Sequence, residues 1–208
     1  MMSSESGHSD HHHDIDKLIK ALQDRDGDVR LNAAVVLGEI GRDAQAAVPA
    51  LTEALQDKEW EVRYAAARAL GEIGSDARDA VPTLIEVLQD EYTNVCQAAA
   101  FALGEIGAEA NKAVPALIEA LRVEDWGVRQ FAAEALGKIG PKANKAVPTL
   151  VETLRHERIW EVRYSAARAL GEIGPDARDA LPYLVEARQD AHRDVRQAAI
   201  EARRKIEG

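Results

Sequence analysis

Residues 60–84 read WEVRYAAARALGEIGSDARDAVPTL, and residues 160–184 read WEVRYSAARALGEIGPDARDALPYL. The two stretches share a Val-Arg motif, an Ala-Leu-Gly-x-Ile-Gly motif and a Val-Pro or Leu-Pro dipeptide, in the same order and at the same spacing. Self-similarity at a fixed period of roughly 20–50 residues is typical of solenoid proteins. The fold is therefore decided by a unit that recurs along the chain.

The unit recurs at steps of 33 or 34 residues. The first residue of the Val-Arg motif, which we call the motif valine, stands at Val29, Val62, Val95, Val128, Val162 and Val195. We assign the extra residue of the longer step to the segment from Arg155 to Trp160, where it is expected to lengthen a loop. The sequence predicts a disordered His-rich leader over residues 1–13 and one solenoid over residues 14–208, with repeats at about 14–47, 48–80, 81–113, 114–146, 147–180 and 181–208.

Each repeat carries two amphipathic helical patterns with the spacing i, i+3, i+4, i+7. We call the first helix A, with core positions Val81, Leu84, Ile85 and Leu88, and the second helix B, with core positions Val62, Ala66, Ala69, Leu70 and Ile73. No segment alternates in the manner of a β-strand. The sequence therefore predicts an all-α fold of twelve main helices, paired into six repeats.

Glycine and proline mark the helix ends. Gly74 and its equivalents suit a left-handed C-cap of helix B. Gly71 and its equivalents lie inside the last turn, where glycine costs about 1 kcal/mol relative to alanine, and this indicates close helix approach. Pro82 fits the first turn of helix A. The pattern also allows residues 76–80 to form a separate helical turn, with Pro82 at a kink.

These units resemble HEAT repeats, in particular the short class found in phycobilin lyase-like proteins. The resemblance is carried by the Val-Pro-x-Leu start, the Asp-x-x-x-x-Val-Arg turn, the Ala-Ala pair and Ala-Leu-Gly-x-Ile-Gly. It covers residues 14–207, and the regularity also resembles consensus-designed HEAT arrays. The resemblance implies a right-handed α-α superhelix of the HEAT/armadillo-like kind, with B helices on the concave face and A helices on the outer face.

An acidic residue stands five positions before the motif valine in five repeats, at Asp24, Asp57, Asp90, Glu157 and Asp190. We predict that these acids and the motif arginines form a structural ladder of charge-assisted hydrogen bonds between repeats. The exceptions are Val123, which replaces the acid in repeat four, and Cys96, which replaces the arginine in repeat three. An arginine at position 96 is expected to give Asp90 a partner.

Four exposed rows of helix B, at positions −2, +2, +6 and +10 from the motif valine, carry six of the nine aromatic residues. Trp, Tyr and Arg dominate interface hot spots, and exposed apolar patches usually mark contact surfaces. We predict a partner-binding stripe formed by Trp60, Tyr64, Arg68, Phe101, Trp126, Gln130, Trp160, Tyr164 and Arg168. The alternative is that each tryptophan packs over the adjacent inter-helix loop.

The stripe indicates an interaction scaffold that binds a protein or peptide across repeats two to five. The alternative function is a bilin lyase-like or chromophore-handling activity, which the resemblance alone suggests. We predict no catalytic residue, no metal site and no cofactor. The single His-Glu pair, His156-Glu157, falls in a predicted loop and is not repeated, unlike the pairs of an iron hydroxylase built from similar repeats.

The charge disfavours two other classes of partner. The formal net charge is −10, and glutamates fill most of the +10 row, which argues against nucleic acid and anionic membrane surfaces. No apolar run is long enough for a membrane span, and the polar N-terminus lacks a signal-peptide core. Cys96 is the single cysteine, so no intrachain disulfide forms. We expect a cytoplasmic protein.

Overall fold

A computed structural model of the protein describes the backbone from Ser6 to Gly208 and the side chains from Asp14 onward. Within this range the chain forms twelve α-helices and no strand, as predicted. The helices are α1 (Ser6–Ala21), α2 (Gly27–Ile40), α3 (Val48–Ala54), α4 (Trp60–Ile73), α5 (Val81–Val87), α6 (Thr93–Ile106), α7 (Val114–Ala120), α8 (Trp126–Ile139), α9 (Val147–His156), α10 (Trp160–Ile173), α11 (Leu181–Ala187) and α12 (Arg193–Glu207). Of the leader predicted to be disordered, residues 1–5 lie outside the described residues, whereas the backbone of residues 6–13 belongs to α1.

Odd-numbered helices are the A helices and even-numbered helices are the B helices of a right-handed α-α superhelix. Successive B helices pack on each other along their length, whereas each A helix meets the next repeat mainly through its 3₁₀ segment. The B helices α2, α4, α6, α8, α10 and α12 therefore form one continuous layer of the array. That this layer is the concave face stays a prediction.

Each of the first five B helices ends at a glycine, and a short 3₁₀ helix leads from there into the next A helix. Gly74 has a φ of 76°, a left-handed conformation that glycine adopts without a Cβ clash. The 3₁₀ helix Gly74–Ala80 then runs directly into α5, where Pro82 is the second residue. The segment before Pro82 is therefore a separate helical turn, and Pro82 occupies the first turn of the α-helix, where its missing N–H is tolerated.

The glycine inside the last turn of each of the first five B helices permits the close approach of the next repeat. A Cβ placed on Gly104 would lie 3.0 Å from the Cα of Ala135, and one on Gly171 would lie 2.7 Å from the Cα of Ala202. Those contacts are with backbone atoms, so a side chain has no room without a shift of the neighbouring helix. The inference of close helix approach is confirmed.

Arginine–carboxylate pairs join consecutive repeats on the turn side. Arg63 donates from Nε to Oδ2 of Asp90 at 2.6 Å and from Nη2 to Oδ1 at 2.9 Å, while its Nη1 donates to the Asp57 carbonyl at 2.8 Å. Each of these acids also accepts the backbone N–H two residues on, as Asp90 does from Tyr92. Equivalent pairs are Arg30–Asp57, Arg129–Glu157 and Arg163–Asp190. The predicted ladder is present.

The ladder geometry corrects the expectation for Cys96. Each arginine binds the acid of the following repeat, so the partner of Asp90 is Arg63 and not residue 96. By the same 27-residue offset, position 96 pairs with position 123, which is valine. One rung therefore lacks both members. The buried Cys96 thiol instead donates to the Asp90 carbonyl at 3.1 Å, and Gln97 bridges to Asp125 at 3.0 Å.

The extra residue of repeat five extends a helix and does not lengthen a loop. Helix α9 continues to His156, and the N–H of Glu157 bonds the Thr153 carbonyl four residues back. In four of the other five repeats the equivalent N–H, such as that of Asp57, bonds the carbonyl three residues back and closes a tight turn. The inserted residue therefore completes an α-helical turn, and His156 lies in a helix. The prediction of a longer loop was wrong.

Candidate functional site

The layer of B helices carries an open groove of about 770 Å³ between α2 and α4, to which α6 contributes Asn94 and Gln97. Its lining comes from the same exposed rows of helix B in successive repeats. The lining residues are Leu31, Ala34, Val35, Gly38, Glu39, Trp60, Glu61, Tyr64, Ala65, Arg68, Ala69, Glu72, Asn94 and Gln97. The groove thus belongs to repeats one to three, which differs from the predicted span of repeats two to five.

Small residues make the floor and larger apolar residues make the walls. Ala34, Ala65 and Ala69 are buried where α2 and α4 touch, so the two helices leave a shallow channel above them. Val35 remains 43% exposed and Tyr64 39% exposed in this channel. Exposed apolar groups of this size have no folding role to fill at the surface, and such patches usually mark contact sites.

The charge of the groove is negative. Its charged lining residues are three glutamates and one arginine. Arg68 donates to Glu72 at 2.9 Å, and its guanidinium lies 3.8 Å from the ring centroid of Phe101, so this cation is already paired. Among the described residues, Glu39 and Glu61 take part in no ion pair. Two uncompensated carboxylates therefore border the apolar floor.

Two of the three predicted tryptophans pack against the next repeat. The ring of Trp60 stacks on Tyr92, with centroids 5.5 Å apart and planes 14° apart. The ring of Trp160 stacks on His192 at 3.7 Å and 16°. Tyr92 and His192 are the N-cap residues of the following B helices. This is the alternative that the sequence left open, although Trp60 also lines the groove.

Trp126 is different, because it stays 48% exposed. The next repeat has Ile159 at the N-cap position that holds an aromatic ring in repeats three and six. Trp126 therefore lacks an aromatic stacking partner there. It lies on α8, outside the groove, and its neighbour Gln130 donates to Glu134 at 3.0 Å.

The remaining predicted residues fall into two local clusters outside the groove. Phe101 meets Phe131 edge to face at 6.5 Å and is covered by Arg68. Tyr164 meets Trp160 edge to face at 6.5 Å, and the Arg168 guanidinium lies 5.7 Å from the Tyr164 ring. Of the nine predicted residues, Trp60, Tyr64 and Arg68 line the groove and the other six do not. That the nine residues bind a partner stays a prediction.

Three overlapping stretches, residues 15–95, 81–158 and 114–204, match the family described as HEAT repeats. The chain belongs to the HEAT-repeat family. The resemblance inferred from the repeat motifs is thereby confirmed.

Solved structures share the architecture of this HEAT array. An engineered protein is 30% identical, with a TM-score of 0.77 over 93% of this chain and 96% of that chain. A chain in the complex of CpcE and CpcF of phycocyanin lyase from Nostoc sp. PCC7120 is 31% identical, with a TM-score of 0.68 over 90% of this chain and 75% of that chain. A designed armadillo repeat protein in complex with the peptide (KR)4 is 21% identical, with a TM-score of 0.75 over 91% and 98%. No curated protein matches the chain.

The sequence prediction omitted groove residues from the first repeat of the array. Leu31 and Val35 occupy the +2 and +6 positions of α2, where other repeats have polar, charged or aromatic residues. Two aliphatic residues at solvent-facing positions of an end repeat were the signal that identifies this end of the groove. The recurring tryptophans instead favoured the later repeats, where Trp126 and Trp160 lie. Glu61 and Asn94, one position before the motif valine, complete the lining.

Two further observations on the HEAT array concern metal binding and membrane insertion. Within the part of the chain whose side chains are described, no three His, Cys, Asp or Glu residues are grouped so that they could hold a metal ion. None of the helices in that part is long and apolar enough to cross a membrane.

Proposed function

We propose that this HEAT array is an interaction scaffold that binds an extended segment of another protein, or a peptide, in the groove between α2 and α4. The single observation that carries the proposal is the groove itself: an open channel of about 770 Å³ in which Val35 and Tyr64 are exposed. Binding without catalysis is part of this proposal.

The shape of the groove favours a chain segment over a compact ligand. All four exposed rows of α4 contribute to its lining, from Trp60 at one end to Glu72 at the other, and three of the four rows of α2 contribute as well. Trp60 and Glu72 are twelve positions apart on one helix, which corresponds to about 18 Å at 1.5 Å per residue. A channel of that length, open along one side, accommodates several residues of an extended chain.

A selection of random twelve-residue peptides displayed on phage tests the proposal. Peptides are selected on the full chain, and their affinities are then measured by fluorescence anisotropy. The groove variant is Tyr64→Ala/Val35→Asn. The matched control is Tyr183→Ala/Val185→Asn, which makes the same changes on helix α11 of the outer side, where Val185 is 45% exposed.

We expect selected peptides to bind the groove variant at least about tenfold more weakly, because it removes the two exposed apolar contacts. The control variant is expected to bind within about twofold of the unmodified chain. Selected peptides that bind both variants equally well would contradict the proposal. A failure to enrich any peptide would contradict it too.

A second candidate function is the handling of a bilin chromophore. The observation in its favour is the 31% identity to a chain of the phycocyanin lyase complex. Absorption spectroscopy of the chain mixed with phycocyanobilin separates the candidates. Chromophore handling requires a shift of the bilin absorption band that Tyr64→Ala weakens, whereas a peptide-binding scaffold leaves the spectrum of the free bilin unchanged.

A further inference from the structure

We infer that the groove selects a segment with basic residues at both ends and apolar residues between them. The inference rests on the proposed function, since it names the chemistry of the segment that the groove binds. It is carried by where the uncompensated charges lie relative to the apolar floor.

The first step concerns which charges are available to a ligand. Glu72 and Arg68 neutralise each other at 2.9 Å, and Arg68 is further held against Phe101. Glu39 and Glu61 are the lining carboxylates that have no cation beside them among the described residues. A ligand in the groove therefore meets negative charge that the array itself does not balance.

The second step concerns the positions of these two carboxylates. Glu61 lies at the N-terminal end of α4, and Glu39 occupies on α2 the place that Glu72 has on α4. Glu61 and Glu72 are eleven residues apart, or about 16 Å along the helix axis. Because neighbouring B helices run side by side in the same register, Glu39 and Glu61 border opposite ends of the groove.

The third step converts this separation into a sequence pattern. An extended chain rises about 3.3 Å per residue, so about five residues span the distance between the two carboxylates. Between them lie Leu31, Val35 and Tyr64, which offer apolar contact. The segment thus carries Lys or Arg at positions about five apart, with apolar residues between them. The aromatic face of Tyr64 also suits an Arg side chain.

The peptides enriched in the selection described above test this pattern through their sequences and through charge variants. The test variant is Glu39→Gln/Glu61→Gln, which removes both groove carboxylates with little change of shape. The matched control is Glu53→Gln/Glu109→Gln, which makes the same change of net charge at exposed glutamates away from the groove. Comparing the peptide affinities of the two variants separates a local contact with Glu39 and Glu61 from the general attraction of a basic peptide to an acidic protein.

We expect the enriched peptides to carry the paired basic residues and to bind Glu39→Gln/Glu61→Gln about tenfold or more weakly, with the control within about twofold. Raising NaCl from about 50 to about 500 mM is expected to weaken binding to the unmodified chain more than binding to the test variant.

Two outcomes overturn the inference and are distinguishable from failure of the proposed function. The charge pattern is overturned if the enriched peptides show no excess of Lys and Arg. It is also overturned if basic peptides bind Glu39→Gln/Glu61→Gln with the same affinity as the unmodified chain. If those peptides still lose affinity for Tyr64→Ala/Val35→Asn, the groove remains the binding site and only its charge selectivity is wrong. If they do not, both proposals fail.

Discussion

Arg63 in repeat two donates two hydrogen bonds to the carboxylate of Asp90 in repeat three, from Nε at 2.6 Å and from Nη2 at 2.9 Å. Both side chains are nearly buried, so the pair is shielded from solvent. The same bridge recurs at every internal repeat boundary of the ladder except one. There, Cys96 and Val123 stand at the two positions, again 27 residues apart.

Restoring the missing rung requires both residues at once. Cys96→Arg alone places a guanidinium at a position where Cys96 is 6% exposed and where the acid of the following repeat is replaced by Val123, so we expect it to lower the unfolding free energy. Adding Val123→Asp supplies the partner. We expect the double variant to be more stable than the sum of the single changes by about 1–3 kcal/mol, measured by urea unfolding. If the change in unfolding free energy of the double variant equalled the sum of the two single changes, the bridge would not form.

Breaking an existing rung gives a complementary result. Arg63→Ala leaves Asp90 nearly buried without its cation, and we expect a loss of about 3 kcal/mol in the unfolding free energy. Arg196→Ala is the control, because Arg196 bonds the Asp190 and Ala191 carbonyls and has no carboxylate partner in a following repeat. Its loss is expected to be smaller, and equal losses in urea unfolding would show that the carboxylate pairing adds nothing.

The ladder also predicts how stability depends on pH. Burial raises the pKa of Asp57, Asp90, Glu157 and Asp190, but hydrogen bonds from the arginines and from backbone N–H groups outweigh it, and each net pKa is lowered. A folded-state pKa below the unfolded one stabilises the fold above the unfolded value, which is about 4. This contribution is lost as the pH falls through the folded-state pKa.

We therefore expect urea unfolding to show a plateau near neutral pH and a decline below about pH 4. Asp90→Asn removes one of the responsible groups, so its unfolding free energy is expected to fall less steeply over the same range. If Asp90→Asn had the same acid dependence as the unmodified chain, Asp90 would not contribute to it.

The fold was predictable from the sequence because the same motifs recur along the chain at a fixed period. The motif valines, the capping glycine Gly74 and the in-helix glycine Gly71 each have a local physical role, and the recurrence of these residues supports each assignment. The direction of the ladder was not predictable. Most units contain both the arginine and the acid, and sequence spacing alone does not tell whether Arg63 reaches Asp57 in its own repeat or Asp90 in the next.

The site was predicted less completely, for a physical reason. The row positions correctly identified which side chains face solvent, and Tyr64 and Arg68 lie in the groove. Whether a row residue stays open depends on its neighbour in the next repeat. Trp60 meets Tyr92, whereas Trp126 meets no aromatic ring at the corresponding position. The exposure of a tryptophan therefore depends on a contact between two repeats, and the sequence of one repeat does not reveal that contact.

Close helix approach makes Gly171 sensitive to substitution. A Cβ at this position would lie 2.7 Å from the Cα of Ala202, so Gly171→Ala forces α10 and α12 apart. We expect a loss of about 1–3 kcal/mol by urea unfolding, despite the higher helix propensity of alanine. Gly27→Ala is the control, since its Cβ would meet the end of the flexible Glu59 side chain, which can move aside. A stabilised Gly171→Ala variant would show that the interface between α10 and α12 has room for the added methyl group.

The three tryptophans occupy one repeat position, and the contrast between two of them separates packing from exposure. Trp160 stacks on His192 at 3.7 Å, so Trp160→Ala removes an inter-repeat contact and is expected to lower the unfolding free energy by about 2 kcal/mol. Trp126 is 48% exposed and has no aromatic ring to stack on in the next repeat, so Trp126→Ala is expected to cost less than Trp160→Ala.

Thermal and urea unfolding of both variants measure this difference directly. A further variant, Ile159→His, offers Trp126 the ring that repeat six provides to Trp160. We expect Ile159→His to reduce the exposure of Trp126, which acrylamide quenching of tryptophan fluorescence detects when Trp60 and Trp160 are replaced by phenylalanine. Equal stability losses in Trp126→Ala and Trp160→Ala, together with unchanged quenching in Ile159→His, would show that the next repeat's N-cap residue does not determine how these tryptophans pack.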